Sequence, residues 1–349
     1  MKKKPAYIQL YEEIRDNIIE GNYSYGHKLP SKRSLAYQNN VSEITTAHAL
    51  ALLEDEGYVE TRQRSGTYVT YKEGDFFEFH VSDTDVFMKQ AGKAGAFPAS
   101  VFAKACRRVL SDYGDGILSE SEGRGDLTLR KAIAAYLGRN RDMHVSSDQI
   151  IIGAGSEYLY SLLTSLLGRS VIYGVEDPSF KKIDEIYRSA GVRTDHLKLG
   201  RHGILTSELQ RTPASVLHVT PYHSWPTGTT TNGAKRREYI HWAADHHAWI
   251  IEDDYASEFS VSNKPAETLY SLDNNHVIYM NTFTKTISPS IRSGYMILPE
   301  QLCDVYQKKE SWRSCTVSLY VQLVIADLLM DGDFERHLNR VRKQLRNNK

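Results

Sequence analysis

The stretch Asn281-Thr-Phe-Thr-Lys-Thr-Ile-Ser-Pro-Ser-Ile-Arg-Ser-Gly-Tyr-Met-Ile-Leu-Pro299 decides how the rest of the chain reads. Thr282, Thr284, Thr286 and Ser288 surround one cation, Lys285. Arg292 follows across Pro289, whose fixed ring makes the chain turn. Tyr295-Met-Ile-Leu298 is then an apolar run of buried-strand length. A lysine set among small donors just before a core strand is a candidate Schiff-base amine. The hydroxyls, Thr282 and Thr284 among them, and Arg292 suit a phosphate held beside it. The same residues also describe a solvated loop between two strands, so the stretch needs a partner.

That partner lies upstream. His247-Ala-Trp-Ile-Ile-Glu-Asp-Asp-Tyr255 runs from an apolar strand into three acids and a tyrosine. A carboxylate at the carboxyl end of a parallel strand stands where α/β sheets bind ligands. Pyridoxal phosphate asks for a lysine for its aldehyde, an acid for its ring nitrogen and donors for its phosphate. The two stretches supply that set, and their spacing resembles the fold-type I aminotransferases. Further upstream, apolar strands alternate with helices. Gln149-Ile-Ile-Ile-Gly153 is a buried strand, and Ala154-Gly-Ser-Glu-Tyr158 opens a helix. A small-residue turn at a helix start offers free amides to an anion, so Gly155, Ser156 and Glu157 are assigned to the phosphate through their backbone. Phe180, after the strand Ser170–Gly174, is placed to stack on the ring, or is simply core. His223, in Pro221-Tyr-His-Ser-Trp-Pro-Thr-Gly228, reads as a partner for the ring hydroxyl or as an ordinary loop histidine. Strand and helix alternation of this length predicts a mostly parallel α/β sheet flanked by helices.

The amino-terminal end has another pattern. Residues 6–21 place Ile8, Leu10, Tyr11, Ile14, Ile18 and Ile19 on one helical face, with Gly21 as the stop. Ser31 caps a second helix burying Leu35 and Ala36, and Ser42 caps a third carrying Ala47, Leu50 and Leu53. Tyr58–Val69 alternates about Ser65-Gly66 as a hairpin. Three helices and a hairpin make a winged helix-turn-helix. The third helix would enter a major groove with Ser42, Glu43 and Thr45 toward base edges. Lys32 and Arg33 would reach phosphates, and Arg62 and Arg64 flank the wing tip. Leu29-Pro-Ser-Lys-Arg-Ser-Leu-Ala36, Val41-Ser-Glu-Ile-Thr45, Leu53-Glu-Asp-Glu-Gly-Tyr58 and Ser65-Gly-Thr-Tyr-Val69 resemble the GntR-type reader head. One departure is Glu43, where that family usually carries arginine. An acid there repels phosphate and suits a cytosine amino group instead.

Reader head and aminotransferase-like body together resemble the MocR subfamily of transcription regulators, from Pro5 to the end of the chain. The domain expectation is a head over residues 1–70, a linker over 71–97 and the body over 98–349. The resemblance implies that Lys285 carries pyridoxal phosphate, Asp253 pairs with the ring nitrogen, Tyr255 bonds the ring hydroxyl, and Thr282 and Arg292 hold the phosphate. Asp254 stands as a rival to Asp253. The resemblance further implies a double-stranded DNA operator, a small amine or amino acid effector and a head-to-tail homodimer. Two departures bear on chemistry. Glu120 stands about where the family carries a phosphate-binding tyrosine. The segment from Phe334 to Lys349 resembles the helix leading into a small carboxyl-terminal domain, which carries the substrate-binding arginine. The expectation is therefore a body lacking that domain, used for sensing. The alternatives are a working aminotransferase and a cofactor-free DNA-binding dimer.

Composition is consistent with this and adds little. The 349 residues are 41% hydrophobic and 25% charged, with 43 cations against 43 acids. Net charge thus points to neither nucleic acid nor membrane, and DNA contact must come from a local patch. Cys106, Cys303 and Cys315 fit no metal or disulfide framework and read as reduced cytosolic thiols. No signal peptide or membrane-spanning run is present in the sequence.

Overall fold

The computed structural model describes residues 5–55, 58–62, 65–70, 96–259 and 267–347. These fall into two compact units, one holding residues 5–70 and 98–111, the other residues 96–97 and 112–347. The sequence pattern sets the boundary at residue 98 instead. Of the expected linker, 71–97, residues 71–95 lie outside the described residues.

In the first unit, α1 (Ala6–Ile19), α2 (Lys32–Gln38) and α3 (Glu43–Asp55) precede a hairpin of β1 (Val59–Arg62) and β2 (Gly66–Val69). Ser31 caps α2 by accepting from the Ser34 amide at 3.2 Å. Ser42 caps α3 by accepting from the Thr45 amide at 3.0 Å. Both serines satisfy amides that a helix start leaves without partners. Leu10, Ile14, Ile18, Leu35, Leu50, Leu53, Val59 and Val69 form one core. Ile8 is only half-buried, at the rim of that face. The hairpin pairs Val59 with Val69 and Arg62 with Gly66, which sets both valines inward. Helix α4 (Ala99–Tyr113) comes after the linker.

The second unit contains an eight-stranded sheet. In chain order its elements are α5 (Leu127–Arg141), β3 (Ile150–Gly153), α6 (Ser156–Leu167), β4 (Ile172–Asp177), α7 (Lys181–Ser189), β5 (Arg193–Gly200), β6 (Gly203–Ile204) and α8 (Thr206–Arg211). Then come β7 (Val216–Val219), α9 (Gly233–His246), β8 (Trp249–Asp253), α10 (Leu269–Leu272), β9 (Val277–Thr282), β10 (Gly294–Ile297), α11 (Glu300–Glu310), α12 (Leu319–Met330) and α13 (Asp333–Asn347). Strand order is β3-β10-β9-β8-β7-β4-β5-β6. The run from β9 to β5 is parallel. β10 lies antiparallel between β3 and β9. Every residue of β3, β7, β9 and β10 is buried, as expected for strands covered on both faces. Ile151, Leu163, Tyr173, Val216, Ile251, Ile278 and Met296 knit sheet and helices into one core. The parallel arrangement aims the carboxyl ends of β4, β7, β8 and β9 to the same edge, joined there by the end of β3.

Candidate functional site

A cavity of about 400 Å³ opens at that edge. The carboxyl ends of β3, β4, β7, β8 and β9 each supply part of its lining. Ser156 and Glu157 come after β3, Phe180 after β4 and Thr220 after β7, while Asp253 ends β8 and Thr282 ends β9. Tyr160, Lys182, Ile183, Trp225, Tyr255, Thr284, Lys285 and Arg292 complete the lining. The size lies in the range of small-molecule sites.

At the floor, Asp253 is 4% exposed. Its Oδ2 accepts from the Tyr160 hydroxyl and lies 3.7 Å from His218 Nε2. The other ring nitrogen of His218 shares a hydrogen bond with the Tyr187 hydroxyl at 2.6 Å. Asp253 Oδ1 is buried with no hydrogen-bond partner, a condition that costs free energy until a donor arrives. Asp254, the rival acid, turns the other way. Its Oδ2 accepts from Arg141 Nη2 at 3.0 Å and from the Tyr279 hydroxyl at 2.8 Å. Alternation along an extended chain separates the two side chains. Sequence reasoning missed Tyr160, His218 and Tyr187. The one available signal was that Tyr160 stands four residues after Ser156, on the same helical face.

Lys285 faces the cavity, its Nζ 4.0 Å from the centre of the Tyr255 ring. The surrounding protein lowers its pKa, while Asp253 pulls it back up. Its four hydroxyl neighbours divide. Thr282 and Thr284 line the cavity. Thr286 is 2% exposed, its hydroxyl without a partner. Ser288 caps the turn at Pro289–Ile291 by accepting from the Ser290 amide. Arg292 then takes a left-handed backbone at φ 42°, and its side chain lines the cavity. Its guanidinium lies against Gly155, where a Cβ would stand 3.3 Å from Nη2. Gly155 itself has φ 85°, and no side chain caps the helix it opens. Arg292 and the uncapped start of α6 therefore converge.

One expected partner, His223, points elsewhere. The His223 side chain is not part of the lining, and its backbone is left-handed at φ 59°. What it offers is its main-chain carbonyl, which accepts from the Tyr255 hydroxyl at 2.8 Å. Tyr255 thus presents its ring and keeps its hydroxyl engaged. Glu120 lies outside the lining and accepts from the Ser314 hydroxyl.

On the head, Lys32 and Arg33 start α2, and Ser42, Glu43 and Thr45 start α3. All are exposed except the half-buried Thr45. Glu43 Oε1 is 3.1 Å from Arg33 Nε. The Thr45 hydroxyl is 2.8 Å from that of Ser42. Arg62 stands 3.6 Å from Glu60 and 5.0 Å above the Tyr68 ring. Arg64 lies outside the described residues. Tyr37 and Ile44 are 89% and 82% exposed beside these groups, and sequence reasoning did not single them out.

A winged helix-turn-helix in one chain with an α/β body of aminotransferase type defines a DNA-binding regulator. Residues 6–69 match the gntR family of bacterial regulatory proteins, and residues 95–349 match the class I and II aminotransferases. The chain belongs to the GntR family, in its MocR-type branch. It is 33% identical to the HTH-type transcriptional regulator YdeL of Bacillus subtilis (strain 168), over 98% of this chain and 77% of that protein. It is 29% identical to the probable rhizopine catabolism regulatory protein MocR of Rhizobium meliloti, over 97% of this chain and 74% of that one. In fold it is similar to the multiple substrate aminotransferase of Thermococcus profundus, with a TM-score of 0.65 and 21% identity over 78% of this chain and 73% of that chain. No helix among the described residues is long and apolar enough to cross a membrane. Among them, no group of three His, Cys, Asp or Glu is arranged to hold a metal ion.

Proposed function

We propose that the chain is a transcription regulator whose body binds pyridoxal phosphate and reports it, or an amine that exchanges with it, to the DNA-binding head. The observation that carries this is the unpartnered, buried Oδ1 of Asp253, in the wall of the cavity that Lys285 faces. That pairing fits a group with a ring N–H at one end and an aldehyde at the other. The uncapped start of α6, Thr282, Thr284 and Arg292 fit its phosphate. When bound, pyridoxal phosphate supplies a reactive aldehyde and an electron-withdrawing ring.

The chain's own residues divide the work. Lys285 is the attachment amine. Its lowered pKa raises the fraction that is neutral, and hence nucleophilic, at a given pH. Asp253 accepts the ring N–H, and Tyr160 holds the carboxylate in place. Phe180 and Trp225, both exposed at the mouth, shelter the ring. Lys32, Arg33, Ser42, Glu43, Thr45 and Arg62 form the DNA-facing surface, and a homodimer would present two such surfaces to an operator. Coupling between cavity and head requires that ligand affinity differ between two states of the protein.

The test is visible absorbance on mixing the purified chain with pyridoxal phosphate, beside Lys285→Ala. A new band in the wild type and none in the variant is the expected result. No band in either discards the cofactor and leaves a DNA-binding dimer with an aminotransferase-like body. Turnover of an added amino acid with a keto acid would instead make it an enzyme.

A further inference from the structure

The phosphate end of the cavity is not an open cluster of cations. Glu157 stands between two of them. Its Oε1 is 2.6 Å from Lys182 Nζ, and its Oε2 is 3.7 Å from Arg292 Nη2. Lys182 comes from α7 and Arg292 from the loop before β10, so three separate elements bring these charges together. All three residues line the cavity. Glu157 also sits in the uncapped first turn of α6, where an anion is favoured by the free amides and the helix dipole. Arg292, the first turn of α6 and Lys182 are the donors an incoming phosphate monoester needs, and a carboxylate already draws on the two side chains. Lys182 holds the Glu157 carboxyl below the ordinary carboxylate range, which keeps it charged.

We propose that Glu157 is an internal counter-anion, competing with a phosphate monoester for Arg292 and Lys182 and so setting how loosely the cavity holds phosphorylated ligands. This rests on the reading of the cavity as a pyridoxal phosphate site. A phosphate dianion beside an ionised carboxylate is repelled unless the carboxylate gives up its cation. The ligand therefore gains only the difference between two ion pairs. An enzyme that keeps its cofactor has no use for such a rival. A sensor has, because an occupancy that tracks ligand concentration needs an affinity that is not too high. The bland alternative is a surface ion pair of little energetic worth. The two differ in whether removing the carboxylate changes anion binding.

The experiment titrates wild type and Glu157→Gln with three probes: pyridoxal phosphate, pyridoxal, which lacks the phosphate, and inorganic phosphate alone. Absorbance reads the two aldehydes and calorimetry reads phosphate. Glu157→Gln is expected to bind pyridoxal phosphate several-fold tighter, up to about tenfold, and inorganic phosphate tighter too, with pyridoxal unchanged. The gain should shrink as salt is added. A second variant, Lys182→Met, removes one cation and frees Glu157 for Arg292, so both phosphate ligands should bind more weakly. Unchanged or weaker phosphate binding by Glu157→Gln overturns the proposal, as does an equal gain for pyridoxal. If neither aldehyde gives a band in either protein while inorganic phosphate still binds Glu157→Gln more tightly, the cofactor reading falls and the counter-anion role stands.

Discussion

Glu176 shows what it costs to hold charge near the cavity floor. It is 3% exposed, accepts from the Ser224 hydroxyl at 2.5 Å, and burial raises its pKa to about 7. The folded state therefore keeps a proton that the unfolded chain gives up near its ordinary value of 4.5. The stability this contributes is complete below that value and is lost as pH rises toward about 7. Glu176→Gln should match wild type at pH 4.5 and exceed it at pH 8, by at most roughly 3 kcal/mol. Denaturant melts at the two pH values check this, and equal stability at pH 8 rejects it. Glu252 carries the same shift while capping α10 through the Leu269 and Tyr270 amides, so some slope should remain in the variant. At this scale the sequence was legible where neighbours in the chain are neighbours in space. Lys285, Thr282, Thr284 and Arg292 come from one short stretch, the end of β9 and the loop after it. Tyr160 and His218 were not legible, because each meets Asp253 only through the sheet. His223 misled because a loop histidine's direction depends on backbone angles that residue identity does not carry.

Helix α3 shows the same limit one level up. Its cap, its start and its buried face at Leu50 and Leu53 were readable from periodicity and from Ser42. What Glu43 does was not, since its partner sits on α2. The sequence suggested an acid that repels phosphate. The structure shows the acid 3.1 Å from Arg33, so two helix starts share one neutralised pair. Glu43→Gln should free Arg33. Affinity for unrelated duplex DNA should rise, and the salt dependence should steepen by about 0.9 for each further phosphate that the protein neutralises. Binding titrations from low to high salt measure this. An unchanged slope would mean that Arg33 already reaches phosphate in the wild type. Strand directions were the other unreadable feature. Tyr295–Leu298 reads as a buried strand either way, and nothing local says that β10 runs against its neighbours.

For the whole molecule, two compact units with separate cores predict separable failures. Leu53 is fully buried in the head core, beside Leu10, Ile14 and Val59. Leu53→Ala leaves a cavity there and should destabilise the head by about 2–5 kcal/mol. DNA binding should fall steeply, while any absorbance band with pyridoxal phosphate persists. Loss of both together would show that the body depends on the head. The order of strands has a consequence in time rather than in space. β3 is made early, yet among the described residues its one partner in the sheet is β10, which is made some 140 positions later. At roughly 5–20 residues per second of synthesis, that wait is on the order of ten seconds or more. A ribosome therefore delivers the reader head well before it delivers Arg292, so the newborn chain carries its DNA-binding fold before the lining of the cavity is complete.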